Sequence, residues 1–185
     1  KEAGATVVAV DVFFAEPSKN AAEDAKLNSV LQKYDGIVLA TQTSGKIFPF
    51  PKLLEGTEGK NIRFGDVTVM EDEDNVIRKV PLSLTAVDGA AFALQATDAF
   101  LEKFTSHITY ENGGTRTFHI TDQKIKNPLT GKNYGPIVIP ESEFNPDRAD
   151  SEMHVNFFGG PYTTPTLSFT DVYHNTFQKD SVKNK

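Results

Sequence analysis

A chain of 185 residues with 38% hydrophobic and 24% charged residues is long enough for one domain with a sizeable core, in the composition of an ordinary soluble globular protein. Its formal net charge of -6 argues against an electrostatic grip on nucleic acid or on an anionic membrane surface. With no cysteine, it has no disulfide, zinc–thiolate site or thiol nucleophile, which suits an oxidising or exposed compartment.

No apolar run approaches the ~20 residues of a membrane helix. The sequence opens at Lys1 without an initiator methionine and ends in a polar tail. It reads as a piece of a longer polypeptide, with any membrane segments outside it.

The run Ala5 to Phe14 is dense in β-branched apolar residues and predicts a strand over about 5–13, buried on both faces. Asp11 lies inside it, where an unpaired carboxylate is costly, so it is expected to be paired near the strand end or to face a polar site. Pro17 to Asn20 is a break, and Asn20 with Glu23 resembles a capping box. Leu27, Val30, Leu31 and Tyr34 then mark the apolar face of a helix over about 20–34, ended by Asp35-Gly36. Ile37 to Thr41 is a second buried strand, which completes a βαβ unit with a right-handed crossover.

Residues 44–60 read as loop. Residues 62–69 and 76–80 predict two strands, joined as a hairpin by the acidic turn Glu71 to Asn75. Residues 89–104 predict a largely buried helix. Residues 105–152 read as an insert of hairpins and loops, with strands near 116–120 and 136–139. A strand over 153–158 and a short helix capped by Thr166 or Ser168 complete the pattern. The expected fold class is α/β, a mixed β-sheet with flanking helices.

Few residues suggest chemistry. Asp11 at a strand end fits the nucleophile of aspartate-based phosphatases, but the second acid such enzymes need two residues on is here Phe13. A structural carboxylate is the simpler reading, and on it Asp11→Ala is expected to cost ~1–3 kcal/mol through a partner left unsatisfied. Asp72 and Asp74 are weak candidates for Ca²⁺, because the full spacing of a calcium loop and its closing Glu are missing. Arg78 follows the acidic turn and has either solvent or a buried acid such as Asp11 within reach. Gly159-Gly160 lacks the pattern of a phosphate loop, and the four histidines lack metal-ligand spacing. No catalytic constellation, metal site or cofactor is indicated.

Taken together, several segments resemble the second type of the CHASE group, the extracytoplasmic sensor domains associated with cyclases and histidine kinases. The Gly4 to Phe14 run with Glu16-Pro17-Ser18 is similar to the family's opening signature. Gly65-Asp66-Val67, then Asp72, Asp74, Asn75, Arg78 and Pro81-Leu82, resemble its central block. Asn156 to Gly160 and Ser168 to Val172 resemble its closing block. Asn75 stands where the family usually has Gly, and residues 105–152 match nothing recognisable.

The resemblance implies a single sensor domain over 1–185, truncated at both ends. It would be anchored in the cytoplasmic membrane through flanking helices, and non-catalytic itself. It would be coupled to a cyclase, kinase or similar output and would carry no cofactor; its partners would be an unknown small-molecule or environmental signal and a second receptor copy. Asp11, Glu16, Asp74, Arg78 and Asn156 become the candidates for a ligand site or polar cluster. Truncation also predicts an open sheet edge near the first strand, covered by a second chain or by the tail. Two other classes compete: a secreted hydrolase using Asp11, Asp74 and His154, and a structural protein-binding module.

Overall fold

The computed structural model describes residues 1–69, 71–84, 89–102, 108–112, 116–120, 137–140, 151–154 and 166–182. Its centre is a parallel three-stranded sheet in the order β1 (Val8–Val10), β2 (Ile37–Thr41), β3 (Ile62–Asp66). Val8, Ala9 and Val10 pair with Ile37, Val38 and Leu39, which in turn pair with Ile62, Arg63 and Phe64. Helix α1 (Ala21–Lys33) connects β1 to β2, so the expected βαβ unit is present.

Alternation along the strands divides the core between two faces. On one face Leu31, Ile37, Leu39, Phe50 and Leu53 are buried together, with Val10, Phe14, Leu27, Tyr34 and Ile62 packed around them. This face is covered by α1 and a 3-10 turn over Pro51–Leu54. The two are stapled where the Asn28 side-chain amide donates to the Leu53 and Glu55 carbonyls, 2.8 Å in each case. On the other face Val38 and Ala40 are buried, and helix α2 (Phe92–Leu101) packs there with Ala99 inward.

Two glycines make close approaches possible. Gly36 turns the chain from α1 into β2 at φ +66°, and a Cβ there would lie 2.8 Å from the Thr6 carbonyl oxygen. Gly65 lies beneath the start of α2, where a Cβ would meet the Phe92 Cα at 2.4 Å.

Arg63 ties β3 to α2. Its guanidinium pairs with Asp98 and Glu102, and Glu102 also accepts from the Asn61 amide. The Arg63 side chain is only 15% exposed, so this cation is stapled inside the sheet–helix layer.

Several expectations change. The first strand covers 8–10, not 5–13, and it is not buried on both faces: Ala9 is exposed, as are Val12 and Phe13 beyond its end. The reason is position, because β1 is at the margin of its sheet and pairs only with β2 among the described residues. The capping box is half formed. Asn20 Oδ1 accepts from the Ala22 N–H at 3.1 Å, while Glu23 pairs with Lys26 at 2.9 Å. Val30, placed on the buried stripe of α1, is 44% exposed.

Strands β3 and β4 (Lys79–Leu84) do not form a hairpin. β3 runs parallel to β2, whereas β4 lies antiparallel between β5 (Gly89–Ala90) and β9 (Ser151–His154). The acidic turn itself is real, with the Asn75 N–H donating to the Asp72 carbonyl at 2.9 Å and Asn75 left-handed at φ 59°. Its backbone hydrogen bonds among the described residues stay within Asp72 to Val76, and the strands on either side pair elsewhere.

The single mixed sheet expected from sequence is therefore divided in the described residues. A third, antiparallel sheet comprises β6 (Ile108–Asn112), β7 (Arg116–Ile120) and β8 (Ile137–Pro140). The last two match the strands expected in the insert, and β6 was not foreseen. α3 (Phe169–Tyr173) starts where expected, with the Ser168 hydroxyl accepting from the Asp171 N–H.

Candidate functional site

The C-terminal ends of β1, β2 and β3 converge on one rim, the position where open α/β sheets place their ligands. Asp66 closes β3 there and is 4% exposed. Its carboxylate accepts from the Thr43 N–H at 2.6 Å and the Thr68 N–H at 2.7 Å. Thr43 is held in place by a tight loop in which Gln42 and Ile47 exchange backbone hydrogen bonds of 3.0 and 2.9 Å.

Burial alone would raise the Asp66 pKa. The hydrogen-bonding groups of Thr43 and Thr68 outweigh it and hold the carboxyl below its ordinary range. The contact from Thr68 is its backbone N–H, because its buried hydroxyl has no hydrogen-bond partner among the described residues. Asp66 thus works as a latch, holding two loops to the end of the parallel sheet. Asp66 belongs to the central block of the family resemblance, but no motif in the sequence marks it as a candidate site residue. The available signal was a lone acid at the end of a buried strand, followed two residues later by Thr.

The candidates named from sequence do not meet at one place. Asp11 lies just past β1 and is exposed, and no hydrogen bond or ion pair reaches its side chain from the described residues. That geometry replaces the expected destabilisation with a small one: Asp11→Ala should change unfolding free energy by less than about 0.5 kcal/mol, checked by urea denaturation. Glu16 is exposed on the segment leading to α1. Asn156 lies outside the described residues.

Arg78 does not reach Asp11. It closes the acidic turn instead, with Nη2 at 2.7 Å from Asp74 Oδ2 and Nη1 at 3.0 Å from Asp72 Oδ2. It precedes β4, and its side chain is half exposed. The guanidinium holds the Asp74 carboxyl below its ordinary range, so Asp74 stays ionised and is poorly suited to donate a proton. Arg78 also occupies the place where a cation would meet Asp72 and Asp74. Among the described residues no group of three His, Asp or Glu is positioned for a metal ion.

The fold and rim define a parallel α/β domain with a helical layer on each face of its central sheet. A model of the CHASE2 domain family matches residues 1–185, and the chain belongs to that family. CHASE2 domains are sensory, extracellular and non-catalytic. The match includes residues 105–152, which sequence reading could not place. No curated protein and no solved structure gives a significant match. No helix among the described residues is long and apolar enough to cross a membrane.

Proposed function

We propose that this chain is the signal-receiving domain of a bacterial transmembrane receptor, anchored in the cytoplasmic membrane by helices outside the 185 residues. The observation that carries this reading is the match to a sensory family over the whole chain. The output would be an adenylate or guanylate cyclase, a histidine kinase or a similar module, working as a homodimer. Signal binding favours one of two arrangements of the domain, and that differential affinity biases the membrane helices. A ligand with equal affinity for both arrangements would shift nothing.

The packing supports such a role. A small rigid unit, latched at one rim by Asp66 and stapled across a layer by Arg63, can transmit a displacement as a body. The test is to delete residues 1–185 from the parent receptor, or exchange them for an unrelated extracellular domain, and to measure output in membranes. Loss of signal-dependent output with retained basal activity is expected. Output that responds to the same signal without the domain would refute the proposal.

A further inference from the structure

A cleft of about 270 Å³ opens between the first turns of α1 and the Pro51–Leu54 turn. It lies beside the segment that leaves the C-terminal end of β1, on the sheet face covered by α1. Ala21, Asp24, Ala25 and Asn28 recur at i, i+3, i+4 and i+7, so one stripe of α1 forms its wall. The two alanines keep the space open, because a longer side chain at either position would fill it.

The walls are fixed before any ligand arrives. Asn28 holds α1 to the opposite turn, and Gln32 reinforces it by donating to the Glu55 carbonyl at 2.9 Å. Asp24 is oriented by the Ser18 N–H, 2.9 Å from its Oδ2. Phe50, 8% exposed, supplies an apolar surface at the base.

The charges around the cleft are mixed. Asp24 and Glu55 bring carboxylates and Lys52 an ammonium. No ion pair engages the Lys52 or Glu55 side chain among the described residues. A simple anion would face two carboxylates, a bare cation would face Lys52, and an apolar molecule would desolvate all three charges without return. A volume of about 270 Å³ holds roughly nine non-hydrogen atoms at liquid water's share of about 30 Å³ each.

We propose that this cleft binds a small zwitterion of the free amino acid class. Its ammonium lies between Asp24 and Glu55, its carboxylate faces Lys52, and a short aliphatic side chain rests on Phe50. This deepens the sensory reading by naming the ligand class, and in that respect rests on it.

The test titrates the 185-residue chain calorimetrically with glycine, alanine, serine, valine and leucine. Propylamine and propionate, which each lack one of the two charges, serve as controls. At least one amino acid should bind and raise the melting midpoint, and neither control should. Ala25→Leu, Lys52→Gln and Glu55→Gln should each weaken binding by about tenfold or more, with circular dichroism confirming the fold; Ala21→Leu replaces Ala25→Leu if that variant does not fold. No binding by any of the five amino acids, or binding that ignores all the substitutions, overturns the proposal. Output that depends on the domain while no amino acid binds removes only the cleft ligand. Binding in the cleft with output indifferent to deletion of the domain removes the receptor reading instead.

Discussion

Gly65→Ala is expected to destabilise the domain by about 3 kcal/mol, at the upper end of overpacking penalties. The added methyl would sit 2.4 Å from the Phe92 Cα, 3.0 Å from its nitrogen and 3.1 Å from its Cβ. Two of those three atoms are backbone, so no rotamer change relieves the clash. Helix α2 must move off the sheet, so Ala99 on the helix and Val38 and Ala40 on the sheet beneath it lose packing. For a chain of this size each 1 kcal/mol is worth about 2–4 °C, so a drop in melting midpoint of roughly 6–12 °C is expected. Adding Phe92→Ala should not rescue the variant, because the obstruction is main chain. Rescue would show that the ring, not the backbone, fixes the spacing of α2 and β3.

Asp66→Asn is expected to cost about 2–3 kcal/mol near neutral pH. The asparagine keeps one acceptor but turns an amide donor toward one of two N–H groups that now donate to a carboxylate. Asp66→Ala leaves both N–H groups without that acceptor and should cost more. The pH dependence has a definite sign. A carboxyl whose pKa is lowered in the folded state stabilises above its unfolded value, 3.8, and loses that contribution as pH falls through the folded value. The gap between the parent protein and Asp66→Asn should therefore be constant from neutral pH down to about pH 5 and narrow below about pH 4. Denaturant titrations at several pH values measure it. A gap that stays constant into strong acid would show that the latch does not depend on the charge.

How much of this was legible in sequence depends on the range of the interactions. The α1 stripe was readable because helical periodicity reports burial directly, and Leu27, Leu31 and Tyr34 do face the core. Val30 fits the same periodicity but lies at the margin of the stripe; it lines a shallow cleft with Val172 and Phe177, from a segment about 140 residues away. The turn at Asp72 to Asn75 was readable because its hydrogen bonds are local, and Asn75 tolerates a left-handed backbone. The partners of the strands on either side were not, since strand pairing is a long-range choice.

The candidate residues show the same division. Asp11 drew attention by lying in an apolar run, but its solvent exposure follows from β1 being a sheet margin. Asp66 looked ordinary, and its burial follows from loops at residues 43 and 68 folding over the end of β3. Arg78 was expected to meet solvent or a buried acid such as Asp11, and its partners are instead the neighbouring Asp72 and Asp74.

The sequence by itself determined the α/β class, the βαβ start, the glycine and asparagine turns and the resemblance to a sensory family. These rest on local periodicity, backbone preference and ordered motifs. Only the tertiary structure decided which acid is buried, which strands pair, and that Gly65 lets a helix touch the sheet. Each of those depends on atoms distant in sequence meeting within a few ångströms, and no local pattern carries that distance.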